Sequence, residues 1–187
     1  EAEIKNVKRM TEIFHENLST KSFVTQIDAD GDTLKITSHP TLPPLNIPLG
    51  NPSEFRILSL TESLSTVTVT SAPVSLSCDN LDPVETVSEG ELCLYWAEGD
   101  IAVQRVRVIS VMEEGSAAEV VNIDTATEVI CHQSELYRLP GELANTAASV
   151  ISAHVRSDQR VLQPGDLVMG KMSVSADRSQ LELHVLE

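Results

Sequence analysis

Short runs of alternating apolar and polar residues, broken by turn formers at intervals of roughly 8–12 positions, constrain this chain more than any other feature. Phe23, Thr25 and Ile27 alternate with polar neighbours, Asp30-Gly31 supplies a turn, and Leu34 and Ile36 follow, which predicts a β-hairpin. Further strands are expected at 55–60, 65–70, 92–96, 102–112, 118–123, 128–132, 166–175 and 180–186. Many short strands of even spacing point to small closed barrels rather than a parallel sheet. Helical spacing occurs at the start, where Ile4, Val7, Met10, Phe14 and Leu18 recur at steps of three and four. A short helix or turn fits 134–139, and 144–153 reads as helix. Five prolines in the stretch from His39 to Pro52, inclusive, predict an extended connection, and 72–87, with Pro73 and Pro83, reads as a linker.

Charge narrows what such barrels can bind. Lys and Arg number 13 against 28 Asp and Glu, a formal charge of −15 over 187 residues. Nucleic acid binding rests on a basic stripe that displaces counterions, so an RNA-binding barrel is the least favoured reading. Aromatic residues, at 3%, are also too few for base stacking. A basic protein partner fits, although acidity alone also keeps a domain soluble. No apolar run approaches the roughly 18 residues of a membrane span. The chain starts at Glu1 rather than Met, which reads as a piece of a longer protein.

Positive signs of catalysis are missing. Cys78, Cys93 and Cys131 are odd in number and show no paired spacing, which reads as reduced thiols of a cytosolic or nuclear protein. His15, His39, His132, His154 and His184 show no ligand spacing either. Asp28-Ala29-Asp30-Gly31-Asp32 has the alternate acids of a calcium loop, but Thr33 holds the sixth position and His39 the twelfth, so a turn is expected. Glu113-Glu114 beside Gly115 likewise reads as a solvated turn. No cofactor is implied.

The segment Gly90–Pro140 resembles a Tudor domain. Cys93 precedes an acidic turn, Glu98-Gly99-Asp100, and then Val103-Gln104-Arg105-Val106 with Val108 in place. Asn122-Ile123-Asp124-Thr125-Ala126-Thr127-Glu128 matches the family's second hairpin, and Leu136-Tyr137-Arg138-Leu139-Pro140 its closing Leu-Pro. Strands on both flanks, 150–155 among them, are similar to the split nuclease-like barrel that wraps extended Tudor domains. The resemblance implies a mainly β fold with few helices: an SH3-like Tudor core at 88–140 between the two halves of an OB-like, nuclease-like barrel at 1–87 and 141–187. Three features depart from the family: the proline-bearing 72–87 stands where the family has a linking helix, and the N-terminal helix and the proline-rich segment from His39 to Pro52 lie outside the pattern.

The family holds methylated arginine in an aromatic cage. At the positions matching that cage this chain has Ala97 or Glu98, Gln104, Asn122, Thr125 and Thr127, none of which carries a ring. Acids are dense instead, ten between Glu89 and Glu135 against Arg105 and Arg107. A carboxylate grips an unmodified guanidinium through a bidentate pair that methylation blocks. The resemblance therefore implies a non-enzymatic module that binds a protein partner, favouring unmethylated arginine. Gln104, Asn122, Thr125 and Thr127 would form the floor, and Glu98, Asp100, Asp124 and Glu128 would supply charge. Asp124 and Glu128 read equally well as residues that satisfy the hairpin turn. Family partners are Arg/Gly-rich tails of PIWI-class Argonautes in cytoplasmic germline granules. A scaffold that self-associates, with an inactive peptide site, is the alternative.

Overall fold

A computed structural model describes residues 23–24, 26–62, 64–69, 80–112, 116–177 and 179–186. The expected N-terminal helix, the 113–115 turn and the 72–79 part of the linker lie outside the described residues. The rest is β-structure in three pieces. Strands β1 (Gln26–Asp30), β2 (Thr33–Thr37) and β3 (Leu45–Pro48) form a three-stranded antiparallel sheet. Gly31 takes φ 59 at the first position of the β1–β2 turn, a conformation that glycine adopts without a Cβ penalty.

Five strands make the central sheet, in the order β10-β6-β7-β8-β9: β6 (Leu92–Tyr95), β7 (Gln104–Val111), β8 (Ala117–Asn122), β9 (Glu128–His132) and β10 (Leu136–Arg138). A 3₁₀ turn at Gln133–Glu135 leads from β9 into β10. Strands β4 (Ser53–Ser59), β5 (Ser65–Val69), β11 (Val150–Arg156), β12 (Leu167–Val174) and β13 (Leu181–Leu186) close a barrel in the order β11-β13-β12-β4-β5. Two of its strands precede the central sheet in the chain and three follow it, so the barrel is split around the sheet as expected.

Burial explains the alternation. Leu34, Ile36 and Ile47 of the three-stranded sheet share one core with Phe55, Ile57 and Val67 of β4–β5 and with Val168, Met172, Leu181 and Leu183 of β12–β13. Each fully buried side chain of this size contributes about 1.5–3 kcal/mol. The central sheet has its own core, built on Cys93, Val106, Val108, Val120 and Leu136. Strand β7 is buried on both faces, because its second row, Arg105, Arg107 and Ile109, turns away from that core. By that alternation adjacent Val108 and Ile109 enter different clusters, and the pairing with β8 shifts register between Val108 and Ser110. Phe23 packs with Ile109, Val121 and Val150, and Leu42 packs with Ile123 and Ala148.

Three local expectations are corrected. The proline-rich stretch contains β3, which pairs with β2 and leaves Pro48 at the end of an edge strand, where a missing N–H is tolerated. At 134–139 the helix is only the 3₁₀ turn, and its last residues become β10. The helix expected at 144–153 does not form. Val150 begins β11, and the carbonyls of Leu143, Thr146 and Ala147 accept hydrogen bonds from Arg105 instead of helical N–H groups. Among the described residues no helix is long and apolar enough to cross a membrane.

Cys93 and Cys131 are buried free thiols. Burial pushes Cys93 up to about 12, helped by Glu91, and Cys131 up to about 11, helped by Glu135. The thiolate is the nucleophile, so a raised pKa leaves almost none of it at neutral pH. Both should resist iodoacetamide at pH 8 in the folded chain and react once it is unfolded in urea, as read by mass spectrometry of the two peptides. Rapid labelling under native conditions would contradict the packing described.

Candidate functional site

The tip of the β8–β9 hairpin is held by a dense set of hydrogen bonds. Asn122 is buried, and its side-chain oxygen accepts from the backbone N–H of Asp124 at 2.8 Å and of Thr125 at 3.0 Å. This is the side-chain turn that Asn forms readily. Its amide nitrogen donates to Gln104 Oε1 at 3.0 Å, so Gln104 and Asn122 satisfy each other across β7 and β8. The N–H of Ala126 donates to the Asn122 carbonyl at 2.8 Å, and the N–H of Asn122 to the Thr127 carbonyl at 2.8 Å. Those bonds hold Ala126 at φ 62, a region that residues with a Cβ rarely occupy. The Thr125 hydroxyl donates to Thr127 Oγ1 at 3.0 Å.

Asp124 faces inward. Arg105, 3% exposed, donates to it through both Nε, at 3.0 Å, and Nη2, at 2.7 Å. The remaining guanidinium hydrogens go to the carbonyls of Leu143 (3.1 Å), Thr146 (2.6 Å) and Ala147 (3.0 Å). All five donors of the fork are used. Asp124 Oδ1 also accepts from the Ser149 hydroxyl at 3.0 Å and its N–H at 3.2 Å. One carboxylate and one guanidinium therefore tie the hairpin tip to the segment that leads into β11.

Glu98 and Asp100 lie on a separate turn. Asp100 Oδ2 accepts from the Ala97 N–H at 3.2 Å, and its carbonyl accepts from Trp96 Nε1 at 3.0 Å. Gly99 sits at φ 97 in this turn, and Glu98 is exposed. Among the described residues no hydrogen bond or ion pair joins this turn to the 122–128 tip. Of the eight residues expected at the site, Gln104, Asn122, Asp124, Thr125 and Thr127 are thus linked to one another or to their hairpin. Glu128 stands exposed beside them, and Glu98 and Asp100 form a second group.

Thr125, Thr127 and Glu128 border a groove of about 470 Å³ whose other wall comes from the β4–β5 hairpin, with Leu58, Thr61 and Leu64. Phe23 also lines it, and the Arg107 guanidinium lies 5.3 Å from the centre of that ring. Sequence reasoning misses these wall residues, because 58–66 and 125–128 meet only when the split barrel closes. A larger cavity of about 560 Å³, between His39, Glu85, Glu91 and Arg138, contains none of the expected site residues.

The Tudor domain family profile matches residues 50–156. None of the curated proteins matches this sequence. Among solved structures, the extended Tudor domain of human TDRD1, in complex with a symmetrically dimethylated peptide, superposes with a TM-score of 0.59 at 14% identity, covering 76% of this chain and 83% of that one. Extended Tudor domain TD3 of mouse TDRD1, in complex with a MILI peptide containing dimethylarginine 45, gives 0.56 at 7% identity over 75% and 85%. The extended Tudor domain of Drosophila melanogaster Tudor-SN (p100) gives 0.52 at 13% identity over 73% and 76%. At these identities the likeness is one of fold.

Proposed function

The chain belongs to the Tudor domain family, and on that premise we propose that it is a non-enzymatic interaction module whose inter-barrel groove takes an arginine-bearing segment of a protein partner. The observation that carries this reading is the groove itself, bordered by the hairpin tip and an exposed carboxylate, Glu128. Two of the similar structures hold dimethylated peptides. The present chain differs in chemistry. On the family resemblance we assign Gln104, Asn122, Thr125 and Thr127 to the cage positions, where none supplies a ring, and the Phe23 ring at the groove has the Arg107 guanidinium 5.3 Å from its centre.

An unmodified guanidinium keeps every donor for a bidentate pair with Glu128, whereas methylation removes donors and enlarges the head group. Glu98 and Asp100 act at longer range, through the acidic field of a chain at −15. Asp124 enters the proposal as the residue that fixes the tip, since Arg105 and Ser149 occupy its carboxylate. An Arg/Gly-rich tail of a PIWI-class Argonaute, met in cytoplasmic germline granules, is the partner we propose.

Calorimetry with an Arg/Gly-rich dodecapeptide, unmethylated and symmetrically dimethylated, tests this. The unmethylated form should bind more tightly, and more weakly as salt rises. Glu128→Gln should lose roughly 0.2–1 kcal/mol, the range for a partly exposed pair. Tighter binding of the methylated peptide would refute the reading, and no binding of either would favour the scaffold alternative.

A further inference from the structure

Strand β9 ends the five-stranded sheet, and among the described residues only β8 pairs with it. The hydrogen-bond pattern fixes which of its backbone groups face outward. Asn122 N–H donates to the Thr127 carbonyl, and Gln133 N–H to the Ser116 carbonyl. Both are bonded pairs flanking the register Ala117↔His132 to Val121↔Glu128. Bonded and non-bonded pairs alternate in an antiparallel ladder. Val129 and Cys131 therefore bond to β8, and Glu128, Ile130 and His132 turn their N–H and C=O groups away from it. His132 N–H is taken by Glu135 Oε2 at 2.9 Å. Among the described residues, Glu128 and Ile130 have no partner on that side.

The side chains of the same residues are exposed. Ile130 is 65% exposed, with Glu128 and His132 on either side of it on one face and Glu119 across from it on β8. Natural sheet edges are usually covered or blunted, so a bare aliphatic residue on one calls for an occupant. Glu128 also borders the inter-barrel groove, which makes the edge continuous with the proposed arginine site.

We propose that the outer edge of β9 is a strand-docking site for a basic, extended partner segment. The segment adds antiparallel, with an aliphatic residue opposite Ile130 and an arginine or lysine two positions later opposite Glu128. Each of these two residues exchanges a pair of backbone hydrogen bonds with β9, and the basic residue arrives at the mouth of the groove. Main-chain bonds supply attachment, and alternate side chains supply selectivity. This rests on the groove reading and deepens it by naming the pattern that enters: aliphatic, any residue, basic. A second copy of the chain is disfavoured as occupant, because two bodies at −15 repel.

The test uses the full chain and an unmethylated Arg/Gly-rich dodecapeptide carrying one Val-Gly-Arg triplet. Backbone N-methylation at the valine, whose N–H would meet the Ile130 carbonyl, should weaken binding about tenfold, and N-methylation at the glycine should not. Ile130→Lys should weaken it comparably, and the amides of Glu128 and Ile130 should become protected from hydrogen exchange only with peptide. Binding that depends on Glu128 but ignores both the valine N-methyl and Ile130→Lys would overturn the edge proposal and leave the groove reading standing. Absence of binding would remove both. Protection that rises with protein concentration alone would assign the edge to self-association and refute the proposal.

Discussion

Asp124→Ala is expected to destabilise the folded chain by about 3–5 kcal/mol, the cost of leaving one partner of a buried ion pair unpaired. Arg105 is 3% exposed and cannot shed its charge, so loss of the carboxylate strands a cation in the interior. Arg105→Ala should cost a similar amount for a different reason: the carbonyls of Leu143, Thr146 and Ala147 lose their donor. An isolated buried pair can often be replaced by apolar residues at little cost. Here Arg105→Met with Asp124→Leu should stay strongly destabilised, because the three carbonyls remain unsatisfied. Urea unfolding of the three variants reads this directly. A double variant near wild-type stability would show that the clamp matters only as a charge pair. The effect on peptide binding should be secondary and follow the loss of the hairpin tip.

Removing residues 1–87 should have the second large effect, converting a folded chain into an aggregating one. The remaining piece holds the whole central sheet but only β11, β12 and β13 of the barrel. Strand β12 would lose its pairing with β4 along Leu167–Gly170, and β11 its pairing with β5 along Val150–Ala153. Leu34, Ile36, Ile47, Phe55, Ile57 and Val67 would leave the larger core together. Two bare edges over an exposed apolar face are an aggregation template. The intact chain should unfold in urea as one transition by both fluorescence and circular dichroism. A monomeric 88–187 piece with well-dispersed amide resonances would show instead that the central sheet folds without its wrapping.

Much of this architecture is legible locally. The hairpin at Asp30-Gly31 needs only a glycine free to take positive φ between two alternating runs. Most strands from 55 onward lie within a few residues of where alternation places them, because period 2 marks any half-buried strand. The ordered motifs between Cys93 and Pro140 carry the family, and the split barrel follows from strands on both sides of them. Legibility fails where a distant group outbids the local preference. Residues 144–149 have helix-compatible composition, yet the carbonyls of Thr146 and Ala147, and of Leu143 just before them, are captured by a guanidinium from β7. The proline-rich stretch hides β3 because β2 needs a partner on its open side more than the segment resists pairing.

The identities of the proposed site residues, and the lack of rings among them, belong to the sequence alone. Their division of labour belongs to the tertiary structure. Asp124 and Glu128 are four residues apart and chemically alike, yet one is consumed by Arg105 and Ser149 while the other stays exposed. Nothing in the local pattern separates them, since the difference is made by β7 and the 143–149 segment arriving from elsewhere in the chain. The groove has the same origin, with one wall from 58–66 and the other from 125–128. Alternation tells a strand which residues to bury; long-range packing chooses what it buries them against, and therefore which polar groups remain free to meet a partner.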